Sequence, residues 1–477
     1  MKKKRELSIG LALFGFFAPL VVLLALIFSG VSIMLGLTAA ICVEGLFGVW
    51  LGHSWEELEE SAMKGIGRVN QTVIVMILIG MLIGVWISAG SVQTMLYYGI
   101  NLITPKLFLP VAFIICVITS LVTGTSWGTA GTMGIALIGV AQGLEIPVEM
   151  AAGAIISGAL VGDKLSPLSD TTLLASATSG VKLFDHIMSL MYVTVPASII
   201  ALITYTLLGM HHGSAEADLS AIQVLSDTLQ NSCNLNVFML IPLLFVLVLS
   251  AMRKPTIPVF AGGLVLGCVW AMVFQGATLT EVVTAAISGF VSTTGNADVD
   301  SLLSRGGALG MAETIFLCIG AGMFSGIFER TGVLSKLMEY LRRVVKSVGG
   351  LVFSLTATGV ALMFGGAGQS CTLSLPAIAF GDAFDEMGVN RSVMSRTLEC
   401  TGTVLGSIVP WDASSILYTG LFGVSVIQYL PFNLLAILSP ILAVVTAYIG
   451  FGVFRSDEPV HFTLKLKKYD KQTGKPL

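Results

Sequence analysis

The chain has 477 residues, of which 55% are hydrophobic and 11% charged, with a formal net charge of −3. Soluble domains carry about 25% charged residues, so this balance excludes an ordinary soluble enzyme and reads as a polytopic membrane protein. Fifty-three glycines fit that class, since glycine lets membrane helices pack closely.

The chain opens with "MKKKRE" and an apolar run from Ile9 to Phe28. About 20 apolar residues can span a bilayer, and no small-residue cleavage site follows, so this is read as a retained first helix. Further spans are expected at 31–51, 70–90, 186–210, 234–252, 256–275, 311–329 and 431–454, with the first at 8–29. Glu44, near a helix end, is expected to reach water, and Glu56, Glu57, Glu59 and Glu60 to form a solvated face. The seven scattered cysteines read as small buried hydrophobes. No CxxC, metal-spaced histidine, Walker A, GxSxG or HExxH pattern occurs, so neither an enzyme nor a cofactor is expected, and no nucleic-acid partner.

Loop charge orients the spans. Lys2, Lys3, Lys4 and Arg5 put the start of the chain in the cytoplasm, whereas loop 211–232 has no Lys or Arg and should face outside. Arg253, Lys254, Lys336, Arg342, Arg343, Lys346 and the tail 461–477 should lie inside, which makes both termini cytoplasmic.

The sequence repeats itself. "EELEESAMKGI" (56–66) aligns with "TEVVTAAISGF" (280–290), "GVWISAG" (84–90) with "GIFERTG" (326–332), and "PLSDTT" (167–172) with "PWDASS" (410–415). The copies, 1–215 and 230–460, begin on opposite sides, so each must cross an odd number of times. That is the inverted-topology repeat of many secondary transporters. An odd count is met if 108–144 is a re-entrant hairpin around "TGTSWGTAG" (123–131) and 148–180 is one helix broken at "GDKLSPLSD". The second copy then has a hairpin at 349–386 and a broken helix at 391–424. The expected fold is all-α, with about ten transmembrane helices, two re-entrant hairpins and helices broken at the midplane; hairpin legs that cross fully would raise the count to 12 to 14.

A broken helix frees backbone groups that lipid cannot satisfy, so a break must line a protein-enclosed cavity. Pro167 removes an amide and disfavours helix at Ser166. Freed carbonyls with Ser166, Ser169, Thr171 and Thr172, plus the charges of Asp163 and Asp170, make a hard-oxygen site suited to a small cation. Burial disfavours a charged carboxylate and a bound cation favours it, so protons and cations would compete for it. Thr123, Thr125, Ser126 and Thr129 at the hairpin tip offer further hydroxyls, although any one could simply bond the carbonyl a turn back. The second copy offers Gln369, Ser370, Asp412 and Ser414. Glu313 and Glu399 are proton-carrier candidates beside Asp163 and Asp170, and Lys164 reads as an ion-pair partner of Asp163, a proton-titrating counter-charge or an anchor for a carboxylate.

"GTSWGTAGTMG" followed some 30 residues later by "GDKLSPLSDTT" resembles the NhaC family of Na+/H+ antiporters, over most of the chain. The family includes malate-proton/sodium-lactate antiporters. The resemblance implies a multi-pass transporter of the bacterial cytoplasmic (inner) membrane that carries Na+ and H+, with Na+ expected at Asp170, Ser169, Thr125 and Ser126. It allows a small organic anion or amino acid as a further substrate, held by Lys164, Arg391 or Arg396, and a homodimer in the lipid bilayer. Gln369 and Trp411 depart from the first copy's hydroxyl-bearing or small residues, which leaves room for an organic solute in the second half.

Overall fold

The computed structural model describes residues 5–212, 219–252, 254–343 and 347–461. Several orienting charges (Lys2 to Lys4, Arg253, Lys346), loop residues 213–218 and tail residues 462–477 lie outside the described residues, as do the side chains of Arg342 and Arg343.

The first half comprises α1 (Ile9–Phe28), α2 (Ile33–Leu51), α3 (Trp55–Ser88), α4 (Ser91–Leu102) and α5 (Pro105–Thr123). A short α6 (Ser126–Thr129) runs through a π turn, Ala130–Gly134, into α7 (Ile135–Gly143). Then come α8 (Val148–Leu165), α9 (Asp170–Ser179) and α10 (Leu183–His212). The second half contains α11 (Leu219–Ser232), α12 (Ile241–Ala251), α13 (Thr256–Phe274), α14 (Leu279–Ser288), α15 (Ala297–Leu303) and α16 (Ala312–Arg330). It continues with α17 (Val333–Arg343), α18 (Val348–Phe364), α19 (Gly368–Glu386) and α20 (Arg391–Gly402). It ends with α21 (Ala413–Phe422), α22 (Val426–Tyr429) and α23 (Leu434–Ile449).

Among the described residues, seven helices are long and apolar enough to cross a membrane: α1, α2, α3, α5, α10, α13 and α16. Two bent pairs, one leading into α12 and the other joining α21 to α22, would raise this to nine. The first hairpin differs from expectation. Its leading leg, α5, starts at Thr104–Pro105, ahead of the purely apolar run, and reaches 19 residues, a crossing length. The second leg leaves it after the tip, so that α7 packs on α4 and α8. In the second half α18 and α19 do pack together, around Gly365–Ala367.

The segments 56–66 and 70–90 are one 34-residue helix, α3, begun by a capping box between Ser54 and Glu57. Gly65 does not end it, because here the helix lies directly against α16. A Cβ at Gly65 would collide with the Gly322 carbonyl, and one at Gly326 with the Ser61 carbonyl. These glycines let the two backbones touch.

The centre of the molecule is the pair of broken helices. Every residue of α8 from Ala151 to Lys164 is buried, and so is every residue of α20 from Ser392 to Gly402. Each broken helix sends its second part into the other half: α9 packs on α19 and α20, and α21 on α8, α7 and the π turn. Packing repeats when the halves are exchanged. α2 lies on α16 as α13 lies on α3, and α10 lies on α20 as α23 lies on α8.

Of the cysteines, Cys116, Cys318 and Cys400 are buried as expected, whereas Cys42 is exposed and the others are intermediate. Cys42 faces outward because α2 buries only one side.

Candidate functional site

The first break is a short extended linker between two helices. Ser166 adopts extended backbone (ψ 126°) ahead of Pro167, which ends α8. Its hydroxyl donates to Leu121 O (2.8 Å) and accepts from Leu168 N (3.2 Å), tying the break to the end of α5. Gly124, with φ 71°, turns the chain there, and a Cβ on it would run into Leu168. The carbonyls freed at the end of α8 find a donor: Thr172 Oγ1 lies 3.3 Å from both Asp163 O and Lys164 O. Ser169 caps α9, its hydroxyl accepting from Thr172 N at 3.4 Å.

The hairpin tip closes on this break. Ser126 donates its amide (3.0 Å) and its hydroxyl (2.6 Å) to Asp163 Oδ2. Asp163 Oδ1 is buried without a hydrogen-bond partner among the described residues. Thr125 caps α6 by accepting from Gly128 N (3.2 Å), and Thr129 donates to Thr125 O (2.9 Å) with Thr123 3.4 Å away. These three hydroxyls therefore help to shape the tip.

The next tip residue reaches the other break. Trp127 Nε1 donates to Ser414 Oγ (3.3 Å), and Gln369 Nε2 donates to the same oxygen (2.8 Å) and to Thr403 O (3.3 Å). Asp412 is buried and caps α21, accepting from Ser414 N at 2.9 Å. Trp127, Gln369, Ser370, Asp412, Ser414 and Arg68 are among the residues lining a cavity of about 370 Å³ between the tips and α3 and α16. The Tyr418 hydroxyl, facing Ser126 from α21, is buried and meets no hydrogen-bond geometry among the described residues.

Not every expected residue joins this cluster. Asp170 is exposed on the first turn of α9, its Oδ1 accepting from Thr171 N (3.1 Å), so the carboxylate set against Ser126 is Asp163 instead. The helical turn after Ser169 directs Thr171 and Thr172 inward and Asp170 outward. Glu313 is exposed as well, on the first turn of α16, where a carboxylate suits the helix dipole. Glu399 is fully buried, with Oε1 accepting from Thr171 Oγ1 (3.1 Å) and Thr403 Oγ1 (2.9 Å).

Lys164 is fully buried but forms no ion pair with Asp163, because adjacent helical residues do not face each other. Its Nζ donates instead to Cys400 Sγ (3.3 Å) and Ser439 Oγ (3.4 Å). Arg391 pairs with Asp385 at 2.6 Å, and Arg396 donates to Gly452 O at 2.6 Å, so each arginine is engaged away from the cavity.

The profile of the Na+/H+ antiporter family matches residues 6–181 and 158–451. The chain is 39% identical to the malate-2H+/Na+-lactate antiporter of Bacillus subtilis, over 89% of this chain and 91% of that protein. It is 33% identical to the Na+/H+ antiporter NhaC of Alkalihalophilus pseudofirmus, over 95% and 98%. It is 34% identical to the arginine/ornithine antiporter ArcD of Halobacterium salinarum, over 94% and 90%. The chain belongs to the Na+/H+ antiporter family.

Two residues of this family member escaped the sequence reading. Trp127 stood inside the hydroxyl-rich tip, and nothing in its spacing tells that its N–H reaches Ser414, 287 residues on. Tyr418 follows Asp412 by six residues in "DASSILY". An apolar helix with a lone tyrosine carries no signal until α21 is seen to pack on the π turn.

Proposed function

We propose that this antiporter exchanges Na+ for H+ across the bacterial cytoplasmic membrane at Asp163. The observation that carries the reading is the divided carboxylate: Ser126 orients Oδ2, while Oδ1 stays buried with no hydrogen-bond partner among the described residues. A lone buried carboxylate is costly as an anion and is neutralised equally well by a proton or by Na+. Only one can occupy it at a time, which is the chemical requirement for exchange. Asp163 Oδ1, Ser126 and Tyr418 would provide the hard oxygens for Na+, and Asp170, exposed on α9, would draw cations to the break. Glu399, linked through Thr171 to the same break, would relay the proton. The exchange-symmetric packing supports two inverted repeats, 1–215 and 230–460, rocking about these breaks with both termini inside.

A second reading has its own support. The cavity beside Asp412 and Gln369, at about 370 Å³, is larger than a bare cation needs, and two relatives are named for organic substrates. A small organic acid or amino acid would sit there, against Gln369, Ser370 and Ser414. Purified protein in liposomes containing a pH dye separates the readings. Proton movement on adding Na+ alone supports simple exchange; movement only when malate, lactate or arginine is also present supports the coupled one.

A further inference from the structure

Glu44 lies in the C-terminal half of α2, and no part of it is exposed. The sequence placed it near water. The structure encloses it instead, because α1 and α16 both pack on α2 and α17 closes on α1. Neither carboxyl oxygen has a hydrogen-bond partner among the described residues. The hydroxyl beside it, Thr331 Oγ1 at the α16–α17 turn, already donates to Phe328 O at 2.7 Å.

Most of the described charges on the neighbouring elements are paired with one another. α1 has none. On α3, Glu57 pairs with Arg330 (2.8 Å) and His53 (3.1 Å), Lys64 pairs with Glu60 (2.7 Å), and Arg68 pairs with Glu329 of α16 (2.6 Å). On α17, Lys336 pairs with Glu339 at 3.1 Å. Arg5 stacks on Trp50 (4.1 Å), at the rim of a groove of about 630 Å³ between α1 and α2. Leu11, Phe14, Phe47 and Trp50 wall that groove, and Glu44 is its one acidic group. An ionised carboxylate is strongly disfavoured in such a place.

We propose that Glu44 is a proton-binding latch, separate from the site at the breaks: as the neutral acid it lets α1 and α2 close on the α16–α17 turn, and loss of its proton to water loosens that packing. The latch has a route to the transport cavity, because Ala321, Gly322 and Ser325 of α16 form part of the cavity wall.

The test uses the full-length protein in liposomes and dicyclohexylcarbodiimide, an apolar reagent that adds to protonated carboxyls from the lipid phase, with the adducts mapped by mass spectrometry. Glu44 should be modified at pH 6.5 and at least tenfold more slowly at pH 10, while exposed Asp170 and Glu313 stay unmodified at neutral pH. Hydrogen exchange at 331–338 should rise at least threefold between pH 7 and pH 10, after correction for intrinsic rates. In Glu44→Gln, a neutral residue of the same shape, that rise should vanish. No adduct on Glu44 at either pH overturns the proposal, and so does an undiminished rise in Glu44→Gln. Neither readout involves Na+ transport, so failure here is distinct from failure of the exchange reading.

Discussion

Ser126 holds Asp163 by two hydrogen bonds to a single carboxylate oxygen, the amide at 3.0 Å and the hydroxyl at 2.6 Å, across 37 residues of sequence. The arrangement fixes the side chain while leaving Oδ1 available. Asp163→Asn should therefore abolish Na+-driven proton movement while the protein remains folded, as judged by its melting temperature in detergent. Ser126→Ala removes one bond to a charged group, worth about 1.5–3 kcal/mol, so Na+ affinity should fall roughly tenfold or more. Wild-type transport by Asp163→Asn would take this residue out of the site.

Trp127 Nε1 and Gln369 Nε2 meet at Ser414 Oγ, joining the tip of the first half to the break of the second. Trp127→Phe keeps most of the ring and loses the N–H. With a neutral hydrogen bond worth about 0.5–1.5 kcal/mol, a KM increase of roughly two- to tenfold is expected, with little change in melting temperature. Asp412→Asn should impair transport more severely, because it removes the charge at the second break.

The α3–α16 crossing makes a contrast within one helix. Gly65→Leu and Gly326→Val push side chains into the opposing backbone and should each destabilise by about 1–3 kcal/mol or more. Gly67 has open space around it, so Gly67→Ala should be neutral or stabilise by about 1 kcal/mol. Thermal melts of the three purified variants decide it. Equal effects at positions 65 and 67 would argue against the close crossing.

The loop between α14 and α16 is organised by Asp300. Its Oδ1 accepts from Thr294 N (2.6 Å), Thr294 Oγ1 (2.8 Å) and Ser292 Oγ (2.8 Å), and its Oδ2 from Gly295 N (3.2 Å). The Thr294 amide, first among these, holds the carboxyl below the usual carboxylate range. A depressed value means the loop order is fully present above about pH 4, the ordinary aspartate value, and is lost as pH falls through the native one. Asp300→Asn turns an amide toward Gly295 N–H, so hydrogen exchange at 292–295 should quicken at neutral pH to the level the wild type reaches only in acid.

Much of this was legible in the sequence. The breaks at Ser166–Pro167 and at Pro410–Asp412 announced themselves by proline and polar residues amid apolar runs, and Asp163 and Asp412 are buried where the reading put them. What failed was side-chain direction. Asp170 and Asp163 are equivalent in composition, but which one faces the tip depends on where α9 restarts after Ser169. An ion pair with its neighbour was one of the roles open to Lys164, whereas its partners Cys400 and Ser439 come from the other half. Two helices run longer than the sequence suggests: α3 continues through Gly65 because α16 supports it, and α5 gains a turn from Thr104–Pro105. Contacts between distant helices decide these matters, and one sequence does not display them.

In the proposed exchange a proton and Na+ occupy the same carboxylate in turn. This is tested most directly by initial rates of Na+-driven proton movement in proteoliposomes, measured over a range of Na+ concentrations from pH 6 to pH 9. Competition at Asp163 predicts that the apparent KM for Na+ rises as pH falls, approaching tenfold per pH unit where the proton holds the site, while the maximal rate changes little. A maximal rate that falls with pH at constant KM would contradict it and place the proton elsewhere, with Glu399 the buried carboxylate to examine next.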